Sequence, residues 1–315
     1  MFGFRADGTQ VKVDPITKIV PYIMVTRNDA CQLARRDVEC EGMDAFIKEQ
    51  REKGLNFNYM HILIAAFVRT FVEKPKLNRF TIGGRIYQRN ALQLSITLKE
   101  SLNEDAPDIT IKMRFTGQES IFEVREKVDA NIKKAFEDAS KNNKTTGLAN
   151  ALTIVPHFMI RGAVGFIKLL DRWGLLPRSI LDVSPFHTSI YLTNLKSIKG
   201  DAVYHHLYNF GTTGIFAAMG KEHMQPVVDL DGNVVTRKIM GLNFTLDERF
   251  CDGFYYLKAI RLIKSYIADP NKLSEHLDID PIESKKERRK RLKRIAKEEK
   301  KKQKEAKKQN KKSSK

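Results

Sequence analysis

The chain has 315 residues, of which 42% are hydrophobic and 30% are charged, a composition typical of globular proteins. Collagen-like, low-complexity and disulfide-scaffold classes are excluded, because Gly, Pro and Cys number only 18, 10 and 3. The N-terminus has no apolar signal region, and no run of about 18 apolar residues occurs. We therefore expect a cytoplasmic protein without a membrane span.

Most of the net charge of +18 lies at the C-terminal end. Residues 284–315 carry 18 Lys and Arg against four Glu, which leaves the rest of the chain close to neutral. We expect a leader over 1–14, one domain over 15–283, and a tail over 284–315 that is disordered or partly helical. Such a tail either serves solubility or attracts an anionic partner weakly, in a salt-sensitive way.

Apolar residues recur at helical spacing in several segments. They predict helices that cover residues 15–23, 44–53, 58–72, 118–139 and 254–268. Asp14-Pro15 and Asn58 are typical helix starts, and Pro75 and Pro270 are typical stops. The apolar stretch over 148–173 predicts a buried or lid-like helical hairpin, with a membrane-surface helix as the alternative.

Other segments alternate between apolar and polar residues, which predicts half-buried strands. We expect two strands over 79–99 joined near Arg89-Asn90, and a third strand over 109–115. Further strands are predicted over 189–195, 214–219, 226–229 and 234–246, with a hairpin turn at 231–233 between the last two. Helices and strands mix without strict alternation, so the fold class is α+β in one domain.

The segment Leu246–Gly253 (LDERFCDG) is the most informative in the chain. It resembles the Asp-His-Arg-x-x-Asp-Gly signature of the chloramphenicol acetyltransferase-like superfamily. The nearest family is the catalytic domain of dihydrolipoyl acyltransferases, a component of 2-oxo acid dehydrogenase complexes. Three other segments resemble that family in the same order: PKLNR at 75–79, SIYLTNL at 189–195 and IFAAMG at 215–220. The resemblance spans roughly residues 15–275.

The resemblance implies a mixed sheet with flanking helices, and a homotrimer with active sites between subunits. It also implies CoA or an acyl thioester as the substrate. In the family, the signature histidine takes a thiol proton, and a Ser or Thr on a neighbouring subunit's strand stabilises the oxyanion. Thr193 matches that hydroxyl, but Glu248 stands where the histidine belongs. The remaining signature residues match: Asp247, Arg249, Asp252 and Gly253. With so few residues before the first helix, we expect no upstream lipoyl or subunit-binding domain.

The identity of the proton acceptor is open in the sequence. Glu248 is one candidate, if burial raises its affinity for protons; otherwise it belongs to an ionised, structural cluster with the neighbouring Asp and Arg residues. The pair His205-His206 follows the Thr193 strand and is a second candidate, and His187 precedes the same strand. Cys251 is a weaker candidate nucleophile. The histidines lack metal-ligand spacing, so no metal is expected.

Arginines are the candidates for contact with CoA. Arg79, Arg85 and Arg89 surround a predicted strand, where they either bind phosphates or form surface ion pairs. We assign Arg85, together with Arg249 and Gly253 of the signature, to CoA binding. The predicted function is transfer of an acyl group from CoA or another thioester to a small acceptor. The alternative is a non-catalytic trimeric scaffold or ligand-binding pseudoenzyme of the same fold.

Overall fold

The structure is a computed structural model that describes residues 5–99, 108–141 and 155–313. The strands in these ranges are β1 Gly8–Gln10, β2 Cys31–Glu39, β3 Arg79–Ile82, β4 Arg85–Arg89, β5 Leu92–Lys99, β6 Asp108–Phe115, β7 Ile190–Asn194, β8 Ile215–Val228 and β9 Val234–Asp247. The helices are α1 Pro15–Ile23, α2 Glu41–Glu52, α3 Tyr59–Glu73, α4 Ile121–Lys141, α5 His157–Trp173, α6 Arg178–Val183, α7 Gly253–Ala268 and α8 Lys285–Ser313.

The strands form one large and one small sheet. The large sheet is mixed, with the order β2-β9-β8-β7-β5-β6; β7 runs parallel to both of its neighbours, and the other pairs are antiparallel. The small sheet is antiparallel, with the order β1-β4-β3. This arrangement with flanking helices confirms the predicted α+β class.

The main core lies between one face of the large sheet and helices α2, α3, α4 and α7. Helix α3 is apolar almost all round, and its residues from Tyr59 to Phe71 are buried, as expected for a central helix. The predicted caps are present, because Asp14 accepts hydrogen bonds at the start of α1 and Asn58 does so at the start of α3. The opposite sheet face carries a smaller cluster of Tyr191, Leu207 and Phe216.

Two strand predictions were wrong in detail. The segment 79–99 forms three strands, because Gly83 and Gly84 both have positive φ and make a tight hairpin between β3 and β4. Strand β4 then joins the small sheet, and β5 joins the large one. The segments 214–219 and 226–229 belong to one long strand, β8, whose pairing with β9 shifts between Met219 and Glu222.

Helix α5 is largely exposed, so of the two forms expected for the hairpin over 148–173, buried or lid-like, the buried one was wrong for the described part. Residues 157–173 form one helix in which only Asp171 is buried. Residues 148–154 lie outside the described part of the chain. Within the described ranges, no helix is both long and apolar enough to cross a membrane.

A buried cluster of charged side chains joins the two sheets to α5. Its arginines are Arg5, Arg27, Arg89 and Arg249, and its carboxylates are those of Asp7, Asp171 and Asp247. Asp247, at the end of β9, accepts from Arg249 Nε at 2.8 Å and Nη2 at 2.7 Å, and lies 3.8 Å from Arg27 Nε. We call this set the arginine cluster.

Helix α8 is attached to the domain at its first turn. Ser284 and Glu287 form a capping box, in which the Glu287 carboxylate accepts from the Ser284 backbone N–H at 2.9 Å. The same carboxylate accepts two hydrogen bonds from Arg114, both 2.8 Å, and one of 2.6 Å from Arg178. The Arg114 hydrogen bonds hold the pKa of Glu287 far below its ordinary value, despite partial burial.

Replacing Asp247 tests whether the arginine cluster holds this part of the fold. Asp247→Asn leaves two buried guanidinium groups without their counter-charge, so we expect a loss of about 3–5 kcal/mol in the free energy of unfolding. Asp252→Asn is the matched control, because it removes the same charge and asparagine caps a helix as well as aspartate does. Urea unfolding measures both; equal losses would contradict this role of Asp247.

Replacing Glu287 tests the attachment of α8. Glu287→Gln removes the charge that binds Arg114 and Arg178, so hydrogen-exchange protection of residues 285–292 should fall by roughly 5–30-fold. In the wild type the folded pKa is depressed, so this stabilisation is present at neutral pH and is lost as the pH falls below about 4.3. Glu298→Gln, on the exposed part of the same helix, should leave the protection unchanged. Equal losses in the two variants would refute the attachment.

Candidate active site

Glu248 lies at the edge of a cavity of about 510 Å³ beside α1. Its backbone N–H donates to Ala30 O at 3.0 Å, which fixes the loop after β9 against the start of β2. Its side chain is half-buried, and among the described residues its carboxylate has no hydrogen bond or ion pair. The carboxylate is therefore outside the ionic cluster that the neighbouring Asp and Arg residues form.

Four cationic side chains line the Glu248 cavity: Lys12, Lys76, Arg79 and Arg249, the last of which is paired with Asp247. The carboxylates of Asp14 and Asp252 line it as well. Two of the arginines considered for CoA lie elsewhere. Arg85 is at the start of β4 and does not line this cavity, and Arg89 is buried in the arginine cluster, where its Nη2 donates to Thr212 O at 3.0 Å. Lys12, Lys76 and Arg79 are thus the basic groups available to an anionic ligand next to Glu248.

The other residues of the signature segment have structural contacts. Arg249 is buried against Asp247, and Asp252 caps α7 by accepting from the Tyr255 N–H at 2.8 Å. A Cβ at Gly253 would lie 2.7 Å from Gln32 Nε2, so this glycine permits close packing of α7 on β2. Burial, with a smaller effect of the Asp252 charge, raises the pKa of Cys251 to about 12, so its thiol is protonated at neutral pH.

Thr193 lies on the outer face of the large sheet, away from the main core. It pairs with Thr97 of β5 and Ala218 of β8, and its side chain is half-buried. Two residues earlier on the same face, Tyr191 shares a hydrogen bond of 2.5 Å with Thr97. Within the described residues the Thr193 hydroxyl has no partner, so it is available to a ligand on this face.

His205 covers part of the same outer face. Its ring stacks on Phe216 with 4.4 Å between centroids, and its Nε2 is buried without a hydrogen-bond partner in the described residues. Burial, assisted by the neighbouring His206 charge, lowers the pKa of His205 below 6.5, so its ring is neutral at pH 7. His206 is exposed and meets the ring of Tyr208 edge-on at 5.1 Å.

His187 is part of a buried hydrogen-bond chain. Its Nε2 donates to Asp171 Oδ2 at 3.0 Å, and its Nδ1 lies 2.7 Å from Ser184 Oγ. Asp171 also accepts from Arg5 at 2.7 Å. Burial alone would raise the pKa of Asp171, but the His187 hydrogen bond and the Arg5 charge together lower it. His187 therefore positions α5 on the domain.

A single chain does not bring Glu248 and Thr193 together. Thr193 pairs with Ala218, and Ala218 pairs with Asn243 on β9. Glu248 lies five residues beyond Asn243, which is about 17 Å at 3.4 Å per residue, and two strands away from β7. A reaction that uses both side chains therefore needs a second copy of the chain.

Sequence reasoning missed Arg27 and Asp171 as site-forming residues. Arg27 follows α1 in a short polar segment with no motif, and nothing in the sequence relates it to Asp247. Asp171 had a detectable signal, since it is an isolated carboxylate in an apolar helix, which usually has a buried partner. Among the described residues, no group of three or more His, Cys, Asp or Glu could hold a metal ion.

Comparisons with known proteins agree on the fold. The sequence model of the family "2-oxoacid dehydrogenases acyltransferase (catalytic domain)" matches residues 188–275. A probable dihydrolipoamide acetyltransferase from Listeria monocytogenes 4b F2365 is 14% identical, with 86% of this chain and 98% of that chain covered and a TM-score of 0.50. No curated protein matches the chain at a significant level.

Two further solved structures give the same result. The dihydrolipoamide acetyltransferase of Azotobacter vinelandii is 13% identical, covering 84% of this chain and 94% of that chain, with a TM-score of 0.51. A truncated catalytic core of the 2-oxoacid dehydrogenase multienzyme complex from Thermoplasma acidophilum is 15% identical, covering 83% of this chain and 98% of that chain, with a TM-score of 0.51. These findings confirm the resemblance predicted from the signature segment: the chain has the fold of the 2-oxoacid dehydrogenase acyltransferase catalytic domain, and its residues 188–275 match that family.

Proposed function

We propose that this protein is an acyltransferase that moves an acyl group from CoA or another thioester to a small acceptor, with Glu248 as the proton acceptor. One observation carries the proposal. Glu248 occupies the position of the signature histidine, faces a cavity, and has no ion pair among the described residues. Lys12, Lys76 and Arg79 line the same cavity and suit the phosphates of CoA.

The reaction requires a base and an oxyanion donor. The nucleophilic group of the acceptor gives its proton to the Glu248 carboxylate as it attacks the thioester carbonyl carbon. The carbonyl electrons move to oxygen, and the Thr193 hydroxyl donates a hydrogen bond to that oxyanion. When the C–S bond breaks, the departing thiolate takes the proton from Glu248, which returns to the carboxylate form.

We propose that each site combines Glu248 of one subunit with Thr193 of another, in a homotrimer. The separation of about 17 Å along β9 within one chain supports this arrangement. Similar structures are named as cores of multienzyme complexes, among them the cubic core of the pyruvate dehydrogenase complex. The cysteines Cys31, Cys40 and Cys251 are free, which suits a reducing, cytoplasmic compartment.

A non-catalytic scaffold of the same fold, which binds CoA without turnover, is the alternative. It is favoured by the structural contacts of Arg249, Asp252 and Gly253, which pair Arg249 with Asp247, cap α7 and pack α7 on β2. The basic helix α8 would then give weak, salt-sensitive contact with an anionic partner. A CoA-induced rise in Tm without acyl transfer to any acceptor would establish this alternative.

Substitution of Glu248 tests the proposed base. With acetyl-CoA and a small thiol acceptor, Glu248→Gln should lower the rate of CoA release by about 10²–10⁴-fold, because glutamine cannot accept the proton. Glu248→His restores the signature with a stronger base, so its rate should recover, with the acid limb of the pH–rate profile near pH 6.5. His206→Ala is the control and should keep the wild-type rate. Chromatography of CoA and acetyl-CoA measures all four proteins.

Several results would contradict the role of Glu248. An unchanged rate in Glu248→Gln would exclude it as the base, and a large loss in His205→Ala alone would move the role to that histidine. An absence of turnover in the wild type and in Glu248→His would exclude acyl transfer at this site.

Mixing two inactive variants tests whether the site is shared between subunits. Thr193→Val should lower the rate by about 10²–10³-fold through loss of the oxyanion donor. Co-expressed with Glu248→Gln, it forms mixed oligomers in which some sites pair an intact Glu248 with an intact Thr193. We expect activity to return in these mixed oligomers, and not in a mixture of the separately purified variants before subunit exchange. No recovery in oligomers shown by mass spectrometry to be mixed would refute the shared site.

A further inference from the structure

A second cavity, of about 430 Å³, lies on the other side of α1 from Glu248. Its walls come from the end of α1, the turn between β3 and β4, the last turn of α5 and the loop at 209–211. Its volume equals that of roughly 14 water molecules, taking about 30 Å³ for each, and is in the range of small-molecule sites. Arg249 lines both cavities. We call this second space the Arg27 cavity.

The charged residues that line the Arg27 cavity are mostly cations. They are Arg27, Arg249, Lys168 and Arg172, and one carboxylate, Asp171. Asp171 is already engaged, because it accepts from Arg5 at 2.7 Å and from His187 at 3.0 Å. The cavity therefore presents positive charge without a free carboxylate to balance it.

The arginine cluster beneath the cavity is also unbalanced. Its four guanidinium groups are each at most 9% exposed, and they face three carboxylates. Asp247 Oδ2 accepts a hydrogen bond of 2.7 Å from Arg249 Nη2, whereas it lies 3.8 Å from Arg27 Nε. Burial lowers the pKa of Arg27 to about 10, although the Asp247 charge opposes this, so Arg27 remains charged at pH 7. The cluster as a whole therefore has one guanidinium group more than it has carboxylates.

Two buried polar atoms, on residues that line the cavity, lack hydrogen-bond partners in the described part of the chain. They are Arg27 Nε and Thr81 Oγ1, on side chains that are 7% and 3% exposed. An unpaired buried donor is costly, and native proteins usually satisfy it with a ligand, an ion or water. An anion in the cavity would balance the excess positive charge of the arginine cluster.

Two exposed cations stand at the mouth of the cavity. Lys168 and Arg172 are four residues apart on α5, so they lie on the same side of the helix. Arg161 is on the same stripe, two turns earlier, but does not line the cavity. Arg161 is therefore a matched control for Arg172, because both are exposed arginines on α5 and only Arg172 lines the cavity.

We infer that the Arg27 cavity is a binding site for a small organic phosphate or carboxylate, whose oxyanion group contacts Arg27 and Thr81 and whose entry Lys168 and Arg172 favour. Arg27 suits such a group because its guanidinium is charged and its Nε has no hydrogen-bond partner in the described chain, whereas Nη1 and Nη2 donate to the carbonyls of Tyr208 and Thr81. The inference does not depend on acyl transfer, since the site is separate from Glu248.

Titration of the full-length protein with inorganic phosphate, and separately with acetate, tests this inference. At constant ionic strength, one or both should raise Tm in a saturable way, whereas sodium chloride should not. The anion that binds more tightly shows whether the oxyanion group of the ligand is a phosphate or a carboxylate. Arg172→Ala should raise its Kd about fivefold or more, and Arg161→Ala should leave it within about twofold. Binding to the basic helix α8 is the same in both variants, so their difference reports the cavity alone.

Thr81→Val is a second variant, in case changes at Arg27 prevent folding. It keeps the volume of the side chain and removes the unpaired hydroxyl, so Kd should rise by about three- to tenfold while Tm without ligand stays close to that of the wild type. The inference is refuted if neither anion gives saturable stabilisation. It is also refuted if Arg161→Ala and Arg172→Ala weaken binding equally, since the anion would then bind only to surface charge.

Discussion

The buried carboxylate of Asp247 is the group on which this end of the molecule depends. It pairs with Arg249, which lies in the loop after β9, and with Arg27, which lies in the segment before β2. Removal of the carboxylate would leave both guanidinium charges buried without compensation. Asp171 and Asp7 extend the same cluster to α5 and the small sheet. The relative positions of the two sheets, α5 and the loop after β9 are therefore fixed by charge pairing as well as by apolar packing.

The position of Glu248 follows from that of Asp247. Asp247 is the last residue of β9 and is buried in the cluster, whereas Glu248 begins the turn that follows and lines the cavity beside α1. The backbone hydrogen bond to Ala30 O holds this orientation. Glu248 is thus kept apart from the arginines that would otherwise neutralise it, which is the condition for a carboxylate to accept a proton from a substrate.

Helix α1 divides the surface around this cluster into two cavities of different character. The Glu248 cavity has basic groups at its edges and a carboxylate open to a ligand, which suits a thioester substrate with phosphates. The Arg27 cavity has four cations and no free carboxylate among its described lining residues, which suits an oxyanion. Since Arg249 belongs to both walls, a ligand in one cavity lies close to the residues that shape the other.

The sequence by itself determined most of the helices and strands, the α+β class and the acyltransferase resemblance, because periodicity, caps and the segment LDERFCDG are local signals. It did not predict β2, an edge strand whose charged residues hide the alternation, or the two-residue turn that separates β3 from β4. Only the tertiary structure decided that Glu248 stands outside the ionic cluster and that Arg27 joins it. Those outcomes depend on contacts between residues about 220 positions apart, such as Arg27 with Asp247. Such contacts leave no local pattern in the chain, since each residue alone is consistent with an ordinary surface charge.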